Sequence, residues 1–165
     1  MKRVVVTGIG IYSCIGRNTS EVLSSLKAGK SGIGIDPKRV EYGYSSPLTG
    51  IVPKPNLKDS LGRKQRIYLS EEAEYAYLST EEALDQANLL DSSSTQNIGI
   101  IYGNDSSTGA IVEAHEAASQ HKQTLMMGQS AVFKTMTSNV SMNLSSIFHL
   151  KGLNLSVAAA CASGA

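Results

Sequence analysis

Cysteine is scarce in this sequence. Cys14 and Cys161 are the only two, far apart along the chain, which excludes the disulfide framework of a small secreted domain and points to reduced thiols. Histidine is scarce as well. His115 and His121 lie six positions apart and would not share a face of a helix, so a structural zinc site is not expected. An excess of one charge is also missing. The formal net charge is +1, which makes neither nucleic acid nor an anionic membrane a default partner and leaves any basic recognition local. No apolar run approaches the roughly 20 residues of a membrane span. The opening Met1-Lys2-Arg3-Val4-Val5-Val6-Thr7-Gly8 breaks at glycine too early for a secretory signal, so a cytoplasmic protein is expected. Repeats and low-complexity tracts are lacking too. What is there is a chain of 165 residues, 41% hydrophobic and 18% charged, enough for one domain with a useful core.

Residues 2–7 read as a buried strand, short, apolar and β-branched without alternation. Gly8-Ile9-Gly10 ends it in a tight turn. A dinucleotide fingerprint would need a third glycine where Ser13 stands and an acidic residue closing a second strand about 20 residues on, so no Rossmann site is expected. Asn18 and Glu21 have capping-box spacing for a helix that shares Val22, Leu23 and Leu26 on one face and stops at Gly29. Residues 31–61 carry Pro37, Pro47, Pro53 and Pro55 and read as a long excursion with little regular structure, the sort that serves function or an interface. Residues 70–90 give the clearest helix. Ser70 caps it, Glu71 and Glu72 suit its positive end, and Ala73, Ala76, Tyr77, Thr80, Ala83, Leu84 and Ala87 form its inner face.

After the polar connector Asp91-Ser92-Ser93-Ser94, residues 97–102 read as a second buried-type strand, closed by Gly103-Asn104-Asp105-Ser106-Ser107. Thr108 caps a helix to about His121. A loop bearing Met and Gly precedes a Ser-rich helix over 135–149, and a third strand over 153–158 delivers the chain to Ala159-Ala160-Cys161. This alternation predicts an α/β layered fold with a largely parallel sheet and flanking helices.

Cys161 follows a strand and precedes the small residues Ala162-Ser163-Gly164-Ala165. A sharp turn there would present its thiol at the carboxyl edge of the sheet, with room for substrate to approach. A helix starting at this point would favour the thiolate and offer N–H groups to an oxyanion. The residues alone leave a second reading open, because a free cysteine also packs as a small inert hydrophobe.

Three collinear segments narrow the choice: Arg3-Val4-Val5-Val6-Thr7-Gly8-Ile9-Gly10 with Ser13 and Gly16, then Ser24-Ser25-Leu26-Lys27-Ala28-Gly29-Lys30-Ser31-Gly32-Ile33, then residues 152–164 around Ala159-Ala160-Cys161-Ala162-Ser163-Gly164. Together they resemble the β-ketoacyl-acyl-carrier-protein synthases of fatty acid and polyketide assembly, closest to the bacterial chain-elongating type. The resemblance implies a thiolase-like fold of two similar α/β halves. Residues 1–165 would be the N-terminal part of that synthase domain, ending just after the nucleophile.

It further implies a decarboxylative Claisen condensation of an acyl-Cys161 enzyme with malonyl-carrier protein, giving 3-ketoacyl-carrier protein, with the Cys161 N–H as one oxyanion donor. No cofactor would be bound, phosphopantetheine arriving on the substrate carrier. The partners implied are an acyl carrier protein and a second synthase subunit, as a homodimer or a heterodimer with a related chain. Met136 and Ala160 match positions that line the acyl pocket, while an ordinary core role stays open for Met136. Ser106 and Ser107 fall in a loop, glycine-rich in relatives, at the pocket floor and dimer seam. Arg63, Lys64 and Arg66 form a basic cluster suited to an acidic carrier, Lys64 matching best, while a merely solvated charged face stays open for each. The family's two histidines and its Gly-rich, Phe-bearing loop are not among these residues, and His149 sits in no such motif, so residues 1–165 alone are expected not to condense. A thiolase-type enzyme using coenzyme A thioesters and a non-catalytic chain-length-factor-like subunit are the rivals. The opening and cysteine segments argue against the first, and Cys161 itself against the second.

Overall fold

The computed structural model describes residues 3–91, 97–105 and 107–165. Ser92, Ser93 and Ser94 of the expected connector, and Ser106, lie outside the described residues. Contacts divide the chain into two units, Met1–Pro55 with Leu78–Ala87, and Asn56–Tyr77 with Asn88–Ala165.

In the first unit Asn18 caps α1 (Thr19–Lys27), its side chain accepting the Glu21 N–H at 2.9 Å, while Glu21 accepts the Arg17 N–H at 2.8 Å. The Asn18 half of the expected capping box therefore forms, while Glu21 reaches one residue further back than the box requires, and Gly29, at φ +62°, ends the helix in the left-handed region. The inner face differs from the expectation. Val22 and Ser25 are buried, and Leu23 and Leu26 are exposed. Ser25 accounts for this, since its hydroxyl donates to the Ile15 carbonyl at 2.6 Å and draws that side of the helix inward. The excursion over 31–61 is also more regular than expected. β1 (Ile33–Ile35) pairs antiparallel with β2 (Leu48–Gly50), Ile33 opposite Gly50. Between them lies α2 (Pro37–Glu41), capped by Asp36, which accepts the Lys38 N–H at 2.9 Å. Pro37 here starts a helix, because its missing N–H is one that the first turn would leave unpaired.

Residues 3–7 do not form the buried strand expected of them. Val4 is 95% exposed, and neither two-stranded sheet among the described residues includes this segment. An apolar, β-branched sequence supplies strand propensity, but without a hydrogen-bonded neighbour it makes no strand. The glycines that follow have a packing role. A Cβ at Gly8 would overlap the Ala83 carbonyl, and one at Gly10 the Ser79 carbonyl, so only glycine lets this backbone lie against α4 (Glu71–Gln86). α4 then holds the segment by side chains. The Ile9 N–H donates to Gln86 Oε1 at 3.1 Å, the Ile11 N–H to Glu82 Oε2 at 3.0 Å, and the Thr19 hydroxyl and N–H to Glu82 Oε1 at 2.6 and 2.8 Å.

Partial burial pushes the Glu82 carboxyl up, and the donors from Thr19 and Ile11 outweigh it, so the group sits below its ordinary value. A carboxylate lowered by folding adds stability above its unfolded pKa and loses it as pH falls through the folded one. Acid below about pH 4 is therefore expected to loosen residues 9–19. Amide exchange at Ile11 and Thr19 checks this. Protection should drop on acidification in the wild type and vary less with pH in Glu82→Gln; protection that stays flat down to about pH 3 in the wild type would remove the carboxylate from this role.

The second unit holds most of the buried apolar side chains. β3 (Ile100–Gly103) runs parallel to β4 (Asn154–Val157), Ile100 opposite Asn154 and Gly103 opposite Val157. The crossover that a parallel pair requires contains α5 (Thr108–His121), a 3-10 turn (Thr124–Met127), α6 (Ala131–Lys134) and α7 (Asn139–Ile147). Ser107, rather than Thr108, takes the N-cap position of α5, without a side-chain capping bond. α7 lies on both strands with Val140 and Leu144 fully buried, and Ala73, Ala76, Leu69 and Tyr77 extend this core. The Tyr77 ring stacks on Phe148 with centroids 5.5 Å apart and planes 10° from parallel. Helix and strand also meet through a polar seam. The Ser141 and Ser156 hydroxyls lie 2.8 Å apart, and Asn154 Nδ2 donates to the Ser141 carbonyl at 3.1 Å. No helix among the described residues is long and apolar enough to cross a membrane.

Candidate active site

β4 sets the position of Cys161. Its ladder with β3 continues past Gly103, where the Asn104 N–H donates to the Val157 carbonyl at 3.0 Å. The chain then turns sharply. Ala160 has φ +48°, a left-handed conformation costly for a residue with a Cβ, and a 3-10 turn over Ala160–Gly164 follows. Cys161 stands exposed on that turn with a free thiol. Among the described residues it is therefore not packed as a buried side chain. The helix expected to open here is, over these residues, a five-residue 3-10 turn, so stacked amides of a helical N-terminus are not part of the site as described.

The turn sits tightly on the sheet. A Cβ at Gly103 would overlap the Ser163 carbonyl, so glycine at the end of β3 is what lets the cysteine segment pack there. One residue on, Asn104 Nδ2 donates to the Thr137 carbonyl at 3.3 Å. The carboxyl edge of the parallel pair thus carries the cysteine turn and, beside it, the loop over 135–138 that contains Met136. Ligand sites in open α/β sheets are built at this edge.

Of the expected pocket residues, Ala160 is exposed on the elbow itself, and Met136 is 38% exposed next to the anchored Thr137. Ser107 is buried, and its hydroxyl has no hydrogen-bond partner among the described residues. Ser106 lies outside the described residues. Tyr102, on β3, is partly buried near Glu72; burial first, and then the Glu72 charge, push its phenol above the ordinary range.

The basic cluster forms a single helical turn, α3 (Arg63–Arg66), with Arg63 and Lys64 exposed. Arg66 is partly committed to structure, since its Nε donates to the Leu61 carbonyl at 3.0 Å. The chain leaving α3 is pinned by Asn139, a residue that pattern reading passed over. The Asn139 Oδ1 accepts the Ser70 N–H at 3.0 Å, and its Nδ2 donates to the Tyr68 and Phe133 carbonyls, both at 2.8 Å. The rings of Tyr68 and Phe133 meet edge to face at 5.5 Å. A buried amide thus joins the exit of the basic turn to the segment running into Met136. Gly103 and Ser163 were likewise not singled out. A glycine closing a strand was the available signal for the first, and a hydroxyl two positions after the cysteine for the second.

A parallel α/β unit that ends in an exposed cysteine on a left-handed elbow defines a protein that offers a thiol at the carboxyl edge of its sheet. The sequence profile of the beta-ketoacyl synthase N-terminal domain matches residues 1–165, and the chain belongs to that family. It is 40% identical, over 169 residues, to the 3-oxoacyl-[acyl-carrier-protein] synthase 1 of Haemophilus influenzae, a match taking in 100% of this chain and 41% of that relative. It superposes with a TM-score of 0.85, at 26% identity, on a β-ketoacyl synthase from Burkholderia phymatum STM815, covering 99% of this chain and 41% of the other. A third likeness, TM-score 0.72 at 17% identity over 94% of this chain and 37% of the other, is to AntDE:AntF, a type II PKS acyl-carrier protein in complex with its ketosynthase bound to the hexaketide. The fold is the thiolase-like α/β layering expected from the sequence. The chain spans about two fifths of the length of these relatives.

Proposed function

We propose that the intact protein is a decarboxylating condensing enzyme and that Cys161 is its nucleophile. The observation that carries the reading is the exposed thiol on the elbow at the carboxyl edge of β3 and β4, in a chain of the β-ketoacyl synthase family. The Cys161 thiolate attacks the thioester carbonyl of an acyl group carried on phosphopantetheine; the carrier's thiolate leaves, and an acyl-enzyme remains. Malonyl-carrier then loses CO₂, and the electron pair of the broken C–C bond becomes an enolate. Its carbon attacks the acyl-enzyme carbonyl, expelling Cys161 as thiolate and giving 3-ketoacyl-carrier. Covalent catalysis here splits one hard step into two. Ala160 on the elbow, Met136, Ser106 and Ser107 are assigned to the acyl pocket. Residues 1–165 by themselves are expected not to condense.

The partners in this reading are an acyl carrier protein and a second synthase subunit, identical or related. A ketosynthase in complex with a type II acyl-carrier protein has this fold. The work would be cytoplasmic, where both free cysteines stay reduced. Exposed Lys64, with Arg63 and Arg66 beside it on α3, would steer the acidic carrier. Lys64→Glu is expected to raise KM for acyl-carrier about tenfold with kcat little changed; an unchanged KM removes Lys64 from docking.

Intact mass spectrometry of the protein before and after incubation with acyl-carrier protein tests the central step. An acyl adduct that maps to the Cys161 peptide supports the reading. An adduct at Cys14, or none at all, overturns it.

A further inference from the structure

The elbow that presents Cys161 is held in an unfavourable conformation, and one side chain closes it. Ala160 sits at φ +48°, where a Cβ costs about 1 kcal/mol or more relative to glycine. The Ala159 N–H donates to Ser163 Oγ at 2.8 Å, and the Ser163 hydroxyl donates to the Ala160 carbonyl at 2.7 Å. The strained residue is therefore clasped from both sides by one hydroxyl. That hydroxyl does not ride on a free loop, because the Ser163 backbone is pressed against Gly103 at the end of β3.

The second bond fixes more than the turn. The Ala160 carbonyl and the Cys161 N–H belong to one planar trans peptide, in which the two groups point in opposite directions. Holding the carbonyl on Ser163 therefore sets where the Cys161 N–H points. Donating to the carbonyl also polarises the peptide and strengthens its N–H as a donor. In the reading proposed above, the carbonyl oxygen of the attacked thioester becomes an oxyanion, and a pre-aimed N–H stabilises it.

We infer that Ser163 is a positioning residue whose hydroxyl, bonded to the Ala160 carbonyl, aims the Cys161 N–H at the oxyanion formed during acyl transfer. The inference rests on Cys161 being the nucleophile. It separates two reactions of the same thiol. Acyl transfer from a thioester passes through an oxyanion; alkylation by iodoacetamide is a direct displacement at carbon and forms none.

The test compares wild type, Ser163→Ala and Ser163→Thr in the intact protein. The acylation rate from acyl-carrier protein and the rate of Cys161 alkylation by iodoacetamide across pH are followed by peptide mass spectrometry. Ser163→Ala is expected to slow acylation about tenfold or more at saturating acyl-carrier, with KM and the alkylation pH profile at wild-type values. Ser163→Thr, which keeps a hydroxyl, should recover most of the rate. Unchanged acylation in Ser163→Ala overturns the inference. So does an equal slowing of both reactions, which marks a purely structural role, and so does a threonine variant as slow as the alanine one. If the wild type takes no acyl group at Cys161, the nucleophile reading fails and this inference falls with it, an outcome read from the wild type alone.

Discussion

Cys161→Ala in the intact protein is expected to abolish acyl uptake and to cut condensation by a factor on the order of 10⁴, while leaving thermal stability at the wild-type value. The two halves of this expectation come from different parts of the structure. The thiol is exposed, so deleting its sulfur opens no core cavity and removes no buried contact. The bonds that hold the elbow run through the Ser163 hydroxyl and the seat of Ser163 on Gly103, and neither involves the cysteine side chain. Cys161→Ser should be nearly as inactive, because a serine hydroxyl stays protonated unless a base activates it. Cys14 serves as the control. Its sulfur faces the backbone of Gly32 and Gly50, where it packs, so Cys14→Ser is expected to keep the acylation rate. Turnover assays with each variant and a melting curve for each check the pair of outcomes. Condensation by Cys161→Ala within tenfold of the wild type would mean that another group carries the acyl chain.

The sequence made helices and capping residues legible where local chemistry decides them. The Asn18 cap, the left-handed Gly29 and the long helix from Glu71 to Gln86 all appear, because each depends on neighbours a few residues away. The parallel pair and its delivery of Cys161 were legible through alternation of buried-type runs with helices. The first apolar run was misread for the opposite reason. Val4, Val5 and Val6 have strand propensity, yet pairing is a property of distant segments, and among the described residues none pairs with them. Asn139 was illegible because an asparagine opening a helix looks like an ordinary surface residue until Ser70, Tyr68 and Phe133 are brought to it. Gly8 and Gly10 lack the rest of a dinucleotide fingerprint, and what the sequence did not show is that they allow backbone to lie on backbone. The three basic residues of α3 look alike in sequence. Only the structure separates the exposed pair Arg63 and Lys64 from Arg66, held on the Leu61 carbonyl.

Asn139→Ala is expected to destabilise the second unit by about 3 kcal/mol, the largest stability effect among the polar residues described. Asn139 is fully buried, and its amide satisfies the Ser70 N–H and the carbonyls of Tyr68 and Phe133. Removing it leaves the buried Ser70 N–H without its side-chain acceptor and takes a donor from the part-buried Tyr68 and Phe133 carbonyls, and a buried group left unpaired costs about 1–3 kcal/mol when water cannot reach it. Asn139→Asp should be at least as harmful despite its matching shape, because a carboxylate would turn acceptor oxygens toward the two carbonyls and bury a charge. The Met136 N–H still reaches the Phe133 carbonyl, at 3.4 Å, and at the Tyr68 carbonyl the damage is limited by Asn143. Its Nδ2 also donates to the Tyr68 carbonyl, at 3.2 Å, and to the Asn139 carbonyl at 2.8 Å. Asn143→Ala alone should therefore cost only about 1 kcal/mol. The double variant should lose more than the sum of the two, since the Tyr68 carbonyl then has neither donor. Urea unfolding of the four proteins in this cycle measures the coupling. A loss below about 1 kcal/mol for Asn139→Ala, or strict additivity in the double variant, would show that water replaces the amide. The joint between the basic turn and the Met136 loop would then be looser than three short hydrogen bonds imply.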